Sequence, residues 1–416
     1  MINVNRHVLD NGLRIVHNED TSTQMIALNL LYDVGARDEH PEHTGFAHLF
    51  EHLMFGGSVN IPDYDTPVQK AGGENNAWTS NDMTNYYITL PCKNAEIGFW
   101  LESDRMLSLD FNEKSLEVQK NVVTEEFKQR NLNQPYGDVS HIIRDMAYKT
   151  HPYRWPTIGK DINHISNATL NEVKEFFYSY YAPNNAILAV SGNITFQETM
   201  RLAEKWFGNI PSREIKAREL PEEIPQTEER RLTVLRNVPV DTLYMAFHIC
   251  KRKDKEYYTF DVISDILCNG RSSRLVQKLV QEKKIFSSID AYISGSIDNG
   301  LFHIAGKPCE GISLEEAEEA IWKELERLKK EEIDAQELEK VKNRYESEQI
   351  FSNINYLTVA TNLAYFELIG KAEDINSEVE KYRSVSPEQI AKAAEKCFVP
   401  QNCSILYYKK ASSEKE

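Results

Sequence analysis

The sequence predicts an α/β (α+β) protein of two homologous halves, each a largely antiparallel sheet packed with helices. A chain of 416 residues is too long for a single hydrophobic core and suits two domains of about 200 residues each. The segment Tyr181–Asn185 (YAPNN) returns 217 residues later as Phe398–Asn402 (FVPQN), each between a predicted helix and an apolar strand. Such an offset of half the chain indicates two copies of one unit. We assign residues 1–215 and 216–416 to the two domains.

Periodicity and turn residues predict the elements of the first half. Asn11-Gly12 between apolar residues indicates a hairpin with a two-residue turn. Further strands are predicted at residues 25–33, up to Leu90 and at 186–190, and helices at 46–55, 93–109, 113–131 and 169–178. The charged, proline-containing stretch 211–226 lacks periodicity and is predicted to link the halves.

The second half repeats the alternation of strands and helices. Ser313 with Glu316 forms a capping box that opens a helix to about residue 330. The other predicted elements are strands at 231–235, 242–249, around Ile289, around Phe302 and at 404–408, a helix at 255–268 and further helices up to Glu395.

Composition excludes several classes of function. The 48 basic and 64 acidic residues give a net charge of −16, which argues against nucleic acid or an anionic membrane as the main partner. An acidic chain is compatible with basic peptides, although a solvated acidic surface explains the charge better. No apolar run approaches the 18 residues of a membrane span. Without a signal-peptide profile or a paired-cysteine motif we expect a cytoplasmic protein; a chain trimmed of its leader would look the same.

The most informative motif is His48-Leu49-Phe50-Glu51-His52. It lies in a predicted helix without glycine or proline, closed by Gly56-Gly57. Residues at i, i+3 and i+4 share one helix face, so His48, Glu51 and His52 point the same way. Two neutral imidazoles at this spacing can hold one zinc ion, and the carboxylate between them can act on a water molecule. This is the H-x-x-E-H order of the inverzincins.

A surface helix on which two histidines and a glutamate share a face by chance is the alternative. The apolar neighbours of the motif favour burial, and buried histidines beside a glutamate need a partner such as a metal ion. Zinc then requires at least one more protein ligand. The next long helix offers Glu125 and Glu126, and chemistry alone does not choose between them.

These residues resemble the pitrilysin-type inverzincin zinc peptidases, the family of the mitochondrial processing peptidase. The similarity extends over the whole chain and is most specific in the zinc motif with Gly56, in residues 73–86, in Val122-Val123-Thr124-Glu125-Glu126, in His151-Pro152-Tyr153 and in Arg271-Ser272-Ser273-Arg274-Leu275. The resemblance implies one Zn²⁺ per chain, held by His48, His52 and Glu126, with Glu51 as the catalytic base. It also implies that the two halves form one half of a clamshell. Glu125 remains the second candidate for the third ligand.

The resemblance also implies a binding mode for the substrate. In the family, the stretch that corresponds to Asn76, Ala77, Trp78 and Thr79 begins an edge strand. An extended peptide adds to it as an extra strand. Main-chain pairing of this kind tolerates many sequences.

Three positions depart from the family pattern. Gln119 stands where an accessory glutamate usually lies, seven residues before the third ligand. Gln281 and Ser288 stand where relatives carry an Arg and a Tyr that bind the substrate backbone. In two-chain relatives one subunit brings zinc and the other brings this pair. The chain thus resembles the zinc-bearing subunit of a heterodimer with a homologous chain; a homodimer is the alternative.

The sequence therefore predicts a zinc-dependent endopeptidase that acts on peptides or unfolded segments, as the catalytic subunit of a two-chain enzyme. The alternative from another class is a non-catalytic assembly subunit of a larger complex. Such degenerate relatives usually lose motif residues, whereas His48, Glu51, His52 and Glu126 are all present here.

Overall fold

A computed structural model describes residues 1–411 of the chain. Its strands are β1 Asn5–Val8, β2 Arg14–Glu19, β3 Met25–Tyr32, β4 Glu74–Thr79, β5 Thr84–Pro91, β6 Ala186–Gly192, β7 Arg230–Arg236, β8 Thr242–His248, β9 Phe286–Ile293, β10 Leu301–Pro308 and β11 Cys403–Lys410. Its helices are α1 Phe46–Leu53, α2 Asp65–Lys70, α3 Ala95–Leu107, α4 Glu113–Phe127, α5 Val139–Ala147, α6 Ile162–Ser166, α7 Leu170–Tyr180, α8 Phe196–Phe207, α9 Glu256–Cys268, α10 Leu314–Lys330, α11 Ala335–Ser352, α12 Tyr356–Ile369, α13 Glu378–Arg383 and α14 Pro387–Cys397. Short 3₁₀ and π turns complete the described chain.

The chain forms two compact units, each with one sheet. The sheet of unit 1 has the order β1-β2-β6-β3-β5-β4, and the sheet of unit 2 has the order β7-β11-β8-β10-β9. Every neighbouring pair is antiparallel except β2 with β6 in unit 1 and β7 with β11 in unit 2. The predicted fold class, largely antiparallel sheets packed with helices, is confirmed.

The two sheets repeat one topology. In each sheet the last strand of the repeat, β6 or β11, lies between the first strand, β2 or β7, and the second strand, β3 or β8. The last strand pairs in parallel with the first. Each returning strand, β6 or β11, follows a 3₁₀ turn, Pro183–Asn185 or Pro400–Asn402. These turns are the sequence echo that indicated two copies. β4 and β9 are then equivalent edge strands.

The units are not the two sequence halves. Unit 1 comprises Met1–Gln129, Trp155–Pro221 and Gln349–Glu378, and unit 2 comprises Arg130–Arg154, Glu222–Glu348 and, of the described chain, residues 379–411. The predicted boundary at residues 215/216 therefore does not account for two segments, one from each half of the sequence, that belong to the other unit. α12 packs on β3 and β6 of unit 1, and α5 packs on β8 and β11 of unit 2. Each helix carries the apolar face that its sheet needs, so burial decides its unit rather than its place in the chain.

Local details follow the sequence, with one difference. The Asn11-Gly12 hairpin joins β1 to β2, but its turn has five residues rather than two, with Gly12 at φ +88°. Ser313 caps α10 by accepting a hydrogen bond from the backbone N–H of Glu316, which is one of the two hydrogen bonds of the predicted capping box. None of the described helices is long and apolar enough to cross a membrane.

Two helical layers cover the sheet of unit 1. Gly98 of α3 lies against Leu28 of β3 and Ile88 of β5, so the even-numbered residues of these strands face α3. Asn29 of β3 accepts a hydrogen bond from Thr361 of α12 at 3.1 Å, so the odd-numbered residues face α12. Successive side chains of a strand alternate between faces. The edge strand β4 consequently presents side chains to both layers.

Candidate metal centre

The short helix α1 carries the predicted zinc motif on the face that α4 covers. The carboxylate of Glu39 fixes its first turn, accepting hydrogen bonds from the backbone N–H groups of Gly45 and Ala47, both at 2.9 Å. The indole N–H of Trp155 donates to the same carboxylate at 3.1 Å. Burial raises the pKa of Glu39 to about 8, and the two backbone donors oppose that rise. A preceding loop therefore satisfies two backbone donors at the start of α1.

Three of the predicted residues converge on one point. Nε2 of His48 lies 3.7 Å and Nε2 of His52 lies 3.4 Å from Oε2 of Glu126 on α4. The three ligand atoms all lie within 4.8 Å of one another. Ligands about 2.0–2.1 Å from a tetrahedral zinc ion are about 3.3 Å apart, so this group needs little movement to bind one. Two imidazole nitrogens and one carboxylate are also ligand types that zinc accepts.

The geometry distinguishes the two glutamates that the sequence left open. Glu126 is partly buried against the histidines. The side chain of Glu125 is 60% exposed and forms an ion pair with Lys128 at 2.6 Å. Adjacent helix positions diverge by about 100°, which separates the two carboxylates. The structure therefore brings Glu126, and not Glu125, to the histidines.

Glu51 lies on α1 between the two histidines and contacts the edge strand. Its carboxylate accepts a hydrogen bond from the hydroxyl of Thr79 at 2.7 Å. Thr79 is the last residue of β4. The predicted base and the predicted substrate strand are therefore in direct contact.

The four predicted substrate-binding residues all lie in β4, the edge strand of the unit 1 sheet. Ala77 and Thr79 pair with Tyr86 and Thr84, on the α1 side of the sheet. Asn76 and Trp78 point to the α12 side and are more exposed. An edge strand offers unpaired main-chain groups to an incoming strand.

The three departures from the family pattern occupy distinct places. Gln119 lies on α4, about two turns before Glu126. In unit 2, the side chain of Gln281 donates a hydrogen bond to the carbonyl of Arg271 at 2.9 Å. Ser288 is exposed on β9, the edge strand equivalent to β4.

Sequence reasoning missed two supporting residues. Glu39 stabilises the start of α1 from a loop, six residues before Gly45, where no capping pattern would place it. Thr79 was predicted as a substrate-strand residue, and its hydrogen bond to Glu51 was not. Both contacts depend on tertiary structure. The only signal of these contacts in the sequence is the presence of polar residues on either side of an apolar helix.

Comparisons with known proteins point to one family. Residues 14–161 match the family model described as insulinase (peptidase family M16), and residues 167–345 match that of the peptidase M16 inactive domain. The zinc protease PqqE of Helicobacter pylori is 32% identical over 80% of this chain and 76% of its own length. The uncharacterized zinc protease YmxG of Bacillus subtilis is 26% identical over 95% of this chain and 96% of its own. The crystal structure of a protease from Helicobacter pylori has a TM-score of 0.93 at 28% identity, over 98% of this chain and 100% of that chain.

The chain therefore belongs to the pitrilysin-type M16 family of zinc peptidases. The match to two successive family models is consistent with the two sheets of repeated topology. The names of the relatives support a peptidase-type function for it.

Proposed function

We propose that this chain is a zinc-dependent endopeptidase that cleaves peptides or unfolded segments bound as an added strand on β4. The convergence of His48 and His52 on the carboxylate of Glu126, at 3.7 and 3.4 Å, carries the proposal. One Zn²⁺ per chain would be held by these three side chains. Bound there, zinc supplies a Lewis acid that activates water and polarises the peptide carbonyl.

Glu51 is the residue that moves the proton. It accepts a proton from the attacking water and later donates it to the leaving amine. The hydrogen bond from Thr79 holds one carboxylate oxygen of Glu51 and so limits rotation of the carboxylate. Because Thr79 ends β4, a peptide paired with this strand places its backbone beside Glu51.

Binding on β4 relies on the main chain. An added strand forms hydrogen bonds through its own N–H and C=O groups, so affinity does not require a fixed sequence. Alternate side chains of the peptide then point to the α1 face and the α12 face of the sheet. Extended or unfolded segments satisfy this geometry, whereas folded helices do not.

We further propose that full activity requires a second, homologous chain. Gln281 and Ser288 stand where relatives carry an Arg and a Tyr, and Gln281 is engaged with the carbonyl of Arg271. Gln lacks the guanidinium fork of Arg, and Ser is shorter than Tyr, so neither replaces the missing donors. A partner that carries the Arg–Tyr pair would supply them. A homodimer that uses other residues is the alternative arrangement.

The test combines metal analysis with cleavage. The chain and any partner that co-purifies from the native host are assayed for zinc and for hydrolysis of an unfolded protein and internally quenched peptides. One zinc per chain together with chelator-sensitive hydrolysis supports the proposal. A stable assembly that binds zinc but cleaves no peptide would instead support the assembly-subunit role.

A further inference from the structure

A cavity of about 540 Å³ lies along the edge strand, between the start of α12 and residues Val68 and Gln69 of α2. β4 and β5 supply Glu74, Asn76, Tyr87 and Thr89 to its wall, and the start of α12 supplies Tyr356. These strand positions are the ones whose side chains point to the α12 layer. The cavity is thus adjacent to the edge on which the proposed function places the substrate.

The formal charge of the residues that line this cavity is negative. Glu74 is the only charged residue that lines it within residues 1–411. Its carboxylate is exposed, and no other described residue pairs with it by a hydrogen bond or an ion pair. Two aromatic rings, Tyr87 and Tyr356, line the same cavity. A carboxylate beside aromatic rings attracts a cationic side chain by charge and by cation–π contact.

The start of α12 does not cancel this preference. A helix N-terminus favours anions through its free N–H groups. Here the side chain of Asn355 accepts hydrogen bonds from the N–H groups of Leu357 and Thr358, which removes two of those donors from the cavity. Glu74 remains its one formal charge.

The chain just before Asn355 has the character of a binding surface. Ile350, Phe351 and Ile354 are 57%, 71% and 70% exposed. Exposed apolar side chains that are close together often mark binding surfaces. A lysine or arginine side chain suits such surroundings, because its methylene stem packs on apolar groups and its charged end pairs with a carboxylate.

We infer that this cavity receives a lysine or arginine side chain of the substrate strand, which makes peptides with a basic residue at this position the preferred substrates. The inference rests on the proposed function. Glu74 precedes Thr79 by five residues on β4. At about 3.3 Å per residue the cavity lies about 17 Å along the strand from the Thr79–Glu51 contact. The preferred basic residue is therefore about five positions from the cleaved bond.

The test uses internally quenched peptides of one sequence in which a single lysine is moved along both sides of the cleaved bond. A matched set carries norleucine, which has a similar stem without the charge. Cleavage is measured for the assembly purified from the native host and for assemblies with Glu74→Gln, Glu74→Lys or Glu175→Gln. Glu175 is an exposed acid on α7 outside the cavity, so its variant controls for the loss of one surface charge.

The expected result is a roughly two- to fivefold preference, in kcat/KM, for lysine over norleucine at one position, as for an ion pair with an exposed carboxylate. Glu74→Gln removes this preference, Glu74→Lys transfers it to a peptide with glutamate there, and Glu175→Gln leaves it unchanged. The preference is read as the ratio of kcat/KM for the lysine peptide to that for the norleucine peptide within each variant, so that a change common to both peptides does not affect it. An unchanged lysine preference in Glu74→Gln would overturn the inference while leaving the proposed function intact.

A binding measurement distinguishes failure of this inference from failure of the proposed function. If no peptide is cleaved by any assembly, the proposed function fails. Fluorescence anisotropy with the same peptides then still tests the cavity: weaker binding of the lysine peptide to Glu74→Gln supports it, and equal binding overturns it.

Discussion

Thr79 donates a hydrogen bond of 2.7 Å to the carboxylate of Glu51. The bond joins the last residue of the edge strand β4 to the middle of the helix that carries both histidines. One strand thus both offers its edge to a peptide and orients the proposed base. A hydrogen bond to a charged group contributes more than a neutral one, so this contact should influence catalysis measurably.

Thr79→Val should lower kcat by about 10- to 150-fold, because a lost hydrogen bond to a charged group is worth about 1.5–3 kcal/mol. Zinc content should stay at the wild-type level, since Thr79 is not among the proposed ligands. Thr79→Ser keeps the hydroxyl and should restore most of the rate. Steady-state kinetics with zinc analysis of the three proteins checks this; equal kcat for the valine and wild-type chains would remove the orienting role.

Glu126→Gln should release zinc, and Glu125→Gln should retain it. A neutral amide is a much poorer zinc ligand than a carboxylate, and only Glu126 faces the histidines. Glu125 is a matched control because it lies one position earlier and pairs with Lys128. Zinc per chain after dialysis is the measurement. Retention by the first variant and loss by the second would transfer the ligand role to Glu125.

His17 should make unit 1 less stable in acid. Burial lowers the pKa of His17, whose Nε2 lies 2.8 Å from the carbonyl of Ile194. The unfolded chain therefore binds this proton at a higher pH than the folded chain, so stability decreases as the pH falls below about 6.5. His17→Gln should flatten the decline in unfolding free energy by up to about 1.4 kcal/mol per pH unit. Denaturant unfolding in chelator across this pH range tests it; parallel curves would contradict it.

Sequence patterns predicted the parts of this chain that depend on local spacing. The i, i+3, i+4 spacing of His48, Glu51 and His52 is a property of any helix, so their shared face was predictable. The echo between residues 181–185 and 398–402 likewise revealed the repeated topology.

Long-range packing was not predictable in the same way. The placement of α12 in unit 1 depends on which sheet has an uncovered face, and no local pattern encodes that choice. The contact of Glu39 with the start of α1 and that of Thr79 with Glu51 join residues that the chain separates. The spacing of the family motif selected Glu126 over Glu125 as the third zinc ligand, and the structure places the Glu126 carboxylate beside the histidines.

The single chain should be weakly active alone and should gain activity from its partner. Losing a donor that acts like one in an oxyanion hole costs about 100- to 1,000-fold in rate. Peptide cleavage is measured for the purified chain, for the same chain together with the co-purifying chain, and for the double variant Gln281→Arg, Ser288→Tyr. Full activity from the single wild-type chain, unchanged by the partner, would rule out the split arrangement.

Zinc content and peptide cleavage of Glu51→Gln, measured on one preparation beside the wild type, show whether Glu51 is the base of a zinc-dependent reaction. Glutamine keeps the shape of the side chain and can still accept the hydrogen bond from Thr79, but it cannot take up the proton. We expect one zinc per chain in both proteins and loss of cleavage in the variant alone. Cleavage by Glu51→Gln at the wild-type rate would contradict it.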